Sequence, residues 1–197
     1  MAKKQGLQAE IEEMRKDIRT DSYSMSIGEW ISLYEGNEID IHPEFQRFFR
    51  WTEYQKTRLI ESILLGIPIP PIFVSQREDG VWDVVDGLQR LSTIYQFVGL
   101  LKDEDGQVFD PLVLEGTKYL PSLGGKVWNL EESLATSFTP AQRLYIKRAK
   151  IDVSLIQKES HEMAKYELFQ RLNTGGSFAT PQEVRNCIMV MYNKDMY

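Results

Sequence analysis

Asp86, Gly87, Gln89 and Arg90 bring together, within five positions, a carboxylate, a backbone hinge, an amide and a permanent cation. The pentapeptide Asp86-Gly87-Leu88-Gln89-Arg90 lies where a short hydrophobic strand, Val81 to Val85, turns into a helix marked by Leu91, Ile94, Tyr95 and Val98. Glycine at such a turn lets another group approach the backbone closely. The first amides of the following helix point outward with the positive end of its dipole and suit an anion. Arg90 adds a planar fork matched to phosphate. Asp86 is placed to hold a cation or to polarise a water. Those types in that order describe a small phosphate-handling turn. Asp-Gly also occurs at turns for conformational reasons alone, and a first-turn arginine is often a solvated side chain, so the surrounding chain has to carry the rest.

The elements that must position these residues are legible from caps and periodicity. Residues 7 to 18 read as a charged amphipathic helix, within an N-terminal lead-in over residues 1–25. Ser26 caps a helix carrying Trp30, Ile31 and Leu33, which Gly36-Asn37 ends. Ile39 to Ile41 reads as a strand. Thr52 and Gln55 form a capping box for a helix with Leu59, Ile60, Ile63 and Leu64, stopped by Gly66. The run Ile67-Pro68-Ile69-Pro70-Pro71 is too rich in proline for a central strand and reads as an extended connector. Ile72 to Ser75 and Val81 to Val85 flank Glu78-Asp79-Gly80 as a hairpin. In the helix after Asp86 the stripe Leu88, Leu91, Tyr95, Val98 turns Leu88 inward and leaves Gln89 and Arg90 to face solvent or ligand. Residues 102–138 read as an irregular insertion with one or two short strands. Thr139-Pro140 with Gln142 starts another helix, and Ile151, Val153 and Leu155 alternate as a strand. Two helices joined by Asn173-Thr174-Gly175-Gly176 complete a C-terminal helical segment, 158–197. Its last helix, begun by Thr180-Pro181-Gln182-Glu183, carries the apolar stripe Val184, Cys187, Ile188 and Met191, which calls for a cover from further chain or from a partner.

Composition narrows the class. The 197 residues are enough for one sizeable core, and 42% hydrophobic with 26% charged residues is the balance of a soluble globular protein. There is no membrane-length apolar run, and the amino terminus is charged rather than signal-like; a single cysteine, Cys187, points to a reducing cytoplasm. A net charge of −6 argues against indiscriminate nucleic-acid binding, although Arg47, Arg50, Lys56 and Arg58, and then Arg143, Lys147, Arg148 and Lys150, form local basic patches. His42 and His161 are isolated, so neither a zinc cluster nor a nucleophilic triad is in view, and no Gly-rich stretch ends in the Gly-Lys-Ser/Thr of a P-loop.

Several spaced motifs, in one order, resemble the N-terminal domain of GmrSD-type restriction systems, a family similar in its core to ParB and sulfiredoxin. They are Pro43-Glu44-Phe45-Gln46-Arg47, Arg58 to Gly66 with the Ile-Pro connector, Val84 to Leu91, and Phe169-Gln170-Arg171-Leu172-Asn173-Thr174-Gly175-Gly176 with Glu183, Arg185 and Asn186. The resemblance runs from about Ser26 to the end. It implies an α+β fold: a ParB/sulfiredoxin-like core with a small mixed sheet over residues 26–157, surrounded and followed by helices.

For function, the resemblance implies nucleoside triphosphate hydrolysis tied to restriction of foreign DNA. Asp86, Gln89 and Arg90 are then the catalytic candidates: Asp86 to hold Mg²⁺, Gln89 to orient water, Arg90 to neutralise developing charge. Gly87, Gln46, Arg47, Asn173, Thr174 and Arg185 are candidates for binding nucleotide. Leu88 stands where the family usually has its first glutamine, which is harmless if that position only packs. Leu88 also occupies the place of sulfiredoxin's reactive cysteine, so thiol chemistry of that kind is excluded. The expected partners are a nucleoside triphosphate, DNA, a nuclease domain or subunit in cis or in trans, and a second copy in a homo-oligomer, with no membrane. A second reading is a non-catalytic nucleotide or DNA sensor that signals to a separate nuclease, and a third is a structural protein in which the motif is vestigial.

Overall fold

A computed structural model describes residues 6–8, 11, 20–41, 51–103, 105–129 and 135–157. Over these the fold is α+β. Five strands make one mixed sheet: β1 (Thr20–Ser26), β2 (Ile39–Asp40), β3 (Ile72–Gln76), β4 (Trp82–Asp86) and β5 (Lys150–Ile156), in the spatial order β1-β5-β3-β4-β2. β1 runs antiparallel to β5, and β5 parallel to β3. The β3–β4 hairpin is antiparallel, and β2 closes the far edge parallel to β4. Four helices accompany it among the described residues: α1 (Ile27–Glu35), α2 (Glu53–Leu65), α3 (Leu88–Phe97) and α4 (Pro140–Arg148).

Caps decide where three of the helices begin. Ser26 with Glu29, Thr52 with Gln55 and Thr139 with Gln142 are complete capping boxes, each satisfying two amides reciprocally. Gly66 ends α2 in the left-handed conformation, where its missing Cβ removes the steric cost. The hairpin turn closes through Arg77 N–H to the Val81 carbonyl at 2.9 Å. The connector 67–71 belongs to no helix or strand, in keeping with its prolines.

The core gathers Ile27, Trp30, Ile60, Ile72, Val74, Leu91, Ile94, Tyr95, Phe97, Ile151 and Val153 from the helices and the sheet. Tyr95 stacks on Tyr34 (4.2 Å between centroids) and donates its hydroxyl to the Trp30 carbonyl at 3.1 Å, which ties α3 to α1. Burial, with Tyr34 adding to it, pushes the Tyr95 hydroxyl well above the ordinary phenol range.

Three sequence expectations differ from this architecture. Residues 20–25, placed in the helical lead-in, are most of edge strand β1. Of its residues only Met25 is buried, so the outer face gave no apolar alternation to read. β4 begins one residue later than expected and includes Asp86. Among the described residues of 102–138 the strand pairings are isolated bridges, Lys102–Val108 and Val127–Ser137; the segment instead contributes buried Leu112, Leu114, Leu123, Val127 and Phe138. The expected charged helix over 7–18 lies largely outside the described residues, and the whole of the C-terminal segment 158–197 does so.

Candidate functional site

The turn at residues 86–90 is built by the meeting of β4 and α3 beside Pro71 at the end of the connector. Asp86 ends β4 opposite Phe73 in the hairpin register. Gly87 follows at φ +100°, ψ 9°, buried, as the residue preceding α3. Only glycine fits here, because a Cβ would collide with Ile72 Cδ1 and would press on Arg90 Nη2 at 3.0 Å and Nε at 3.3 Å. Unlike the other three helices, α3 has no side-chain cap. Leu88 packs against the core, in agreement with the stripe that turned it inward.

Arg90 does not extend into solvent. Its side chain is 14% exposed and folds back, donating from Nη2 to Asp86 Oδ2 at 2.8 Å and to the Pro71 carbonyl at 3.1 Å. Asp86, 34% exposed, keeps more of its carboxylate towards water. Arg90 Nε is buried, and among the described residues no acceptor meets it. A buried guanidinium donor without a partner is uncommon enough to require a reason. Gln89 also has a partner: its Oε1 accepts the Trp51 N–H at 3.1 Å, while Thr93 Oγ1 donates to the Gln89 carbonyl at 2.7 Å. This joins the start of α3 to the residue before the Thr52 cap of α2.

Asp86, Gly87, Gln89 and Arg90 are therefore brought together, with Gln89 and Arg90 held by backbone atoms of Trp51 and Pro71. Residue types could not have revealed those two partners, because any residue supplies an N–H or a carbonyl. Gln46, Arg47, Asn173, Thr174 and Arg185 lie outside the described residues, as do His42, His161 and Cys187.

A second polar cluster went unread in the sequence. Arg77, at the end of β3, donates from Nε to Asp83 Oδ2 at 2.8 Å, from Nη2 to Asp83 Oδ1, and from Nη2 to Asp40 Oδ2 at 2.6 Å. Burial works against the charge, but the bonds to Asp83 and Asp40 outweigh it and hold the guanidinium above its ordinary pKa. This cluster ties β2, β3 and β4 together below the Asp86 turn. A third cluster buries the Glu61 carboxylate, which accepts from Thr117 Oγ1 and lies 3.3 Å from Arg58 Nε; beside it Thr57 Oγ1 accepts the Glu115 N–H at 3.0 Å. It fastens the 110–120 segment onto α2. Among the described residues no group of three or more His, Cys, Asp or Glu gathers to hold a metal, and no helix is long and apolar enough to cross a membrane.

The sequence that builds this fold matches one known family. The family model described as GmrSD restriction endonuclease, N-terminal domain, matches residues 27–190, which is most of the chain. The chain belongs to this family. Neither a curated protein nor a solved structure matches it. As a GmrSD N-terminal domain it is a component of a restriction system, and the match spans every strand and helix from α1 to β5. The ParB-like core inferred from the motifs is consistent with the α+β sheet of this GmrSD domain.

Proposed function

We propose that this GmrSD N-terminal domain binds a nucleoside triphosphate at the Asp86–Arg90 turn and hydrolyses it in the service of DNA restriction. The observation that carries the reading is the buried Arg90 Nε, which meets no acceptor among the described residues beside the backbone of Gly87, at the start of a helix with no side-chain cap. A phosphate oxygen seated over Gly87 would answer that donor and the first amides of α3 at once.

Asp86 is a single carboxylate with one oxygen already on Arg90. That suits a Mg²⁺ arriving on the triphosphate, because Mg²⁺ keeps most of its waters and needs only one or two protein carboxylates beside phosphate oxygens. The bound ion would offset phosphate charge. Arg90, released in part from Asp86, would turn its fork towards the transferred group, where positioning and charge account for most of the rate. Gln89 is held by the Trp51 amide through its oxygen, so its role in this scheme is to present its NH₂ group and to fix the approach to α2. Arg47, Gln46, Asn173, Thr174 and Arg185 complete the proposal as binders of base, ribose or terminal phosphate.

A second reading is supported by the Asp86–Arg90 ion pair itself. Two groups that neutralise each other favour binding without turnover, the behaviour of a sensor that signals to a nuclease in cis or in trans. Calorimetry and phosphate release with ATP, GTP, CTP and UTP, each with and without Mg²⁺ and DNA, separate the two. Turnover with at least one nucleotide is expected. Saturable binding without turnover selects the sensor, and no uptake by folded protein removes both readings.

A further inference from the structure

A groove of about 640 Å³ lies between the end of α2 with its connector and α4, and its described lining includes no residue of the Asp86 turn. One wall is Ile63, Gly66, Ile67, Pro68 and Ile69; the other is Ala141, Leu144, Tyr145 and Arg148, continuing to Lys150. Ile67, Leu144 and Tyr145 are each about half exposed, an unusual concentration of large apolar side chains on one surface. Of its nine residues, α4 buries only Ile146, so packing into the core does not explain its apolar content.

The walls are set before any ligand arrives. Gly66 fixes the exit from α2, the prolines stiffen the connector, and a complete capping box starts α4. Rigid walls of this kind lower the ordering cost of binding.

Charge specifies what the groove suits. Arg148 and Lys150 line it, no carboxylate does among the described residues, and α4 adds Arg143 and Lys147. Arg143 is engaged by the Asn129 side chain at 2.5 Å, and Lys150 lies within electrostatic reach of Glu29. Among the described residues, Lys147, Arg148 and Lys150 form no ion pair. A basic rim on a chain of net charge −6 runs against the overall balance. Like charges disfavour a second copy docking through the same face. An apolar floor is poorly matched to a phosphodiester backbone, whose recognition rests on cations and polar donors.

We infer that this groove is the docking site for an acidic amphipathic helix of a partner polypeptide, its apolar residues entering between Ile67 and Tyr145 and its carboxylates meeting Arg148 and Lys150. Apolar anchors at helical spacing in a groove, with charge at the rim, are a recurrent mode of peptide recognition. The inference is independent of nucleotide binding at residues 86–90.

The test is selection of a displayed helical-peptide library on the full chain, followed by fluorescence anisotropy with an enriched peptide, its Glu-to-Lys counterpart and a duplex oligonucleotide. Enriched sequences are expected to be acidic with apolar residues at i, i+3, i+4 and i+7. Affinity is expected to fall at least about tenfold in Leu144→Asp, and likewise in the double variant Arg148→Glu with Lys150→Glu. Light scattering and thermal melting check that these variants stay folded. Enrichment of basic or uncharged peptides, binding indifferent to both variants, tighter binding of the duplex through the same residues, or a homodimer abolished by Leu144→Asp would each overturn the assignment.

Discussion

Replacing Gly87 by alanine would put a methyl group against Ile72 at a φ of +100°, where an L residue is strained even in open space. We expect Gly87→Ala to cost about 1–3 kcal/mol in urea denaturation, the usual range for a residue forced into a sparsely populated backbone region. A variant as stable as the parent would show that the turn relaxes easily and is a poor candidate for a preorganised site. Arg90 leads to a different expectation because its ion pair with Asp86 is partly solvated and therefore modest in stability. Arg90→Ala should fold, yet lose phosphate release by on the order of 10²-fold. Arg90→Lys keeps the charge without the fork and should recover only part of that loss. If Arg90→Ala hydrolyses nucleotide at the parental rate, the arginine is a brace for Asp86 and Pro71 and nothing more. At this scale the residue types and their spacing were enough to place Asp86, Gly87, Gln89 and Arg90 together at a strand-to-helix turn. They could not show that the guanidinium turns inward, because that depends on the Pro71 carbonyl, which has no residue-specific signature.

Elements were most legible where a local device specifies them. The helix starts at Ser26, Thr52 and Thr139 and the stop at Gly66 each depend on a few neighbouring residues, and each stands where its residues predicted. Edge strand β1 was missed because its pairing partner, β5, is more than a hundred residues away and its own pattern is polar. The caps also make element-scale tests. Thr52→Ala removes the Gln55 amide's acceptor at the start of the helix that Gln89 holds through Trp51, and should lower stability by about 1 kcal/mol. A loss of nucleotide affinity larger than that stability change accounts for would show that the α2–α3 tie also positions the site. The α1 cap titrates. Glu29 accepts the Ser26 hydroxyl at 2.7 Å and the Ser26 amide at 2.6 Å, bonds that hold its carboxyl below the usual 4.5. A carboxyl depressed on folding contributes its stability above the unfolded value and loses it as pH falls through the folded one. The melting temperature of the parent should therefore exceed that of Glu29→Gln at pH 6 and converge on it as the pH is taken below 4.5. Parallel curves across that window would mean the cap carries no proton linkage.

Across the whole molecule the sheet divides the labour. α4, the end of α2 with its connector, and the start of β5 line the groove, whereas β4 and α3 form the Asp86 turn, and only the parallel β3–β5 pairing joins the β1–β5 half of the sheet to the β3–β4–β2 half. Arg77 is the polar centre of the second half, since Asp40 from β2 and Asp83 from β4 both bond to it. β2 is two residues long and has few ladder bonds of its own, so the shared arginine adds to the attachment that buried Ile39 and Ile41 provide. Arg77→Met keeps the side-chain bulk but takes away the cation between two carboxylates. Because the cluster is only partly buried, we expect a loss on the order of 2 kcal/mol, below that for breaking a fully buried pair. The loss should have a pH signature. Without Arg77 both carboxylates lose a cation that favours their ionised form, so their folded pKa values rise relative to the parent's. Acid then costs the variant less than it costs the parent, and the deficit should shrink as the pH falls towards 4. Asp40→Asn in the Arg77→Met background should remove that slope, and thermal melting between pH 4 and 7 reads both effects. A pH-independent deficit would mean that packing of the arginine stem, rather than its charge, holds β2 to the sheet.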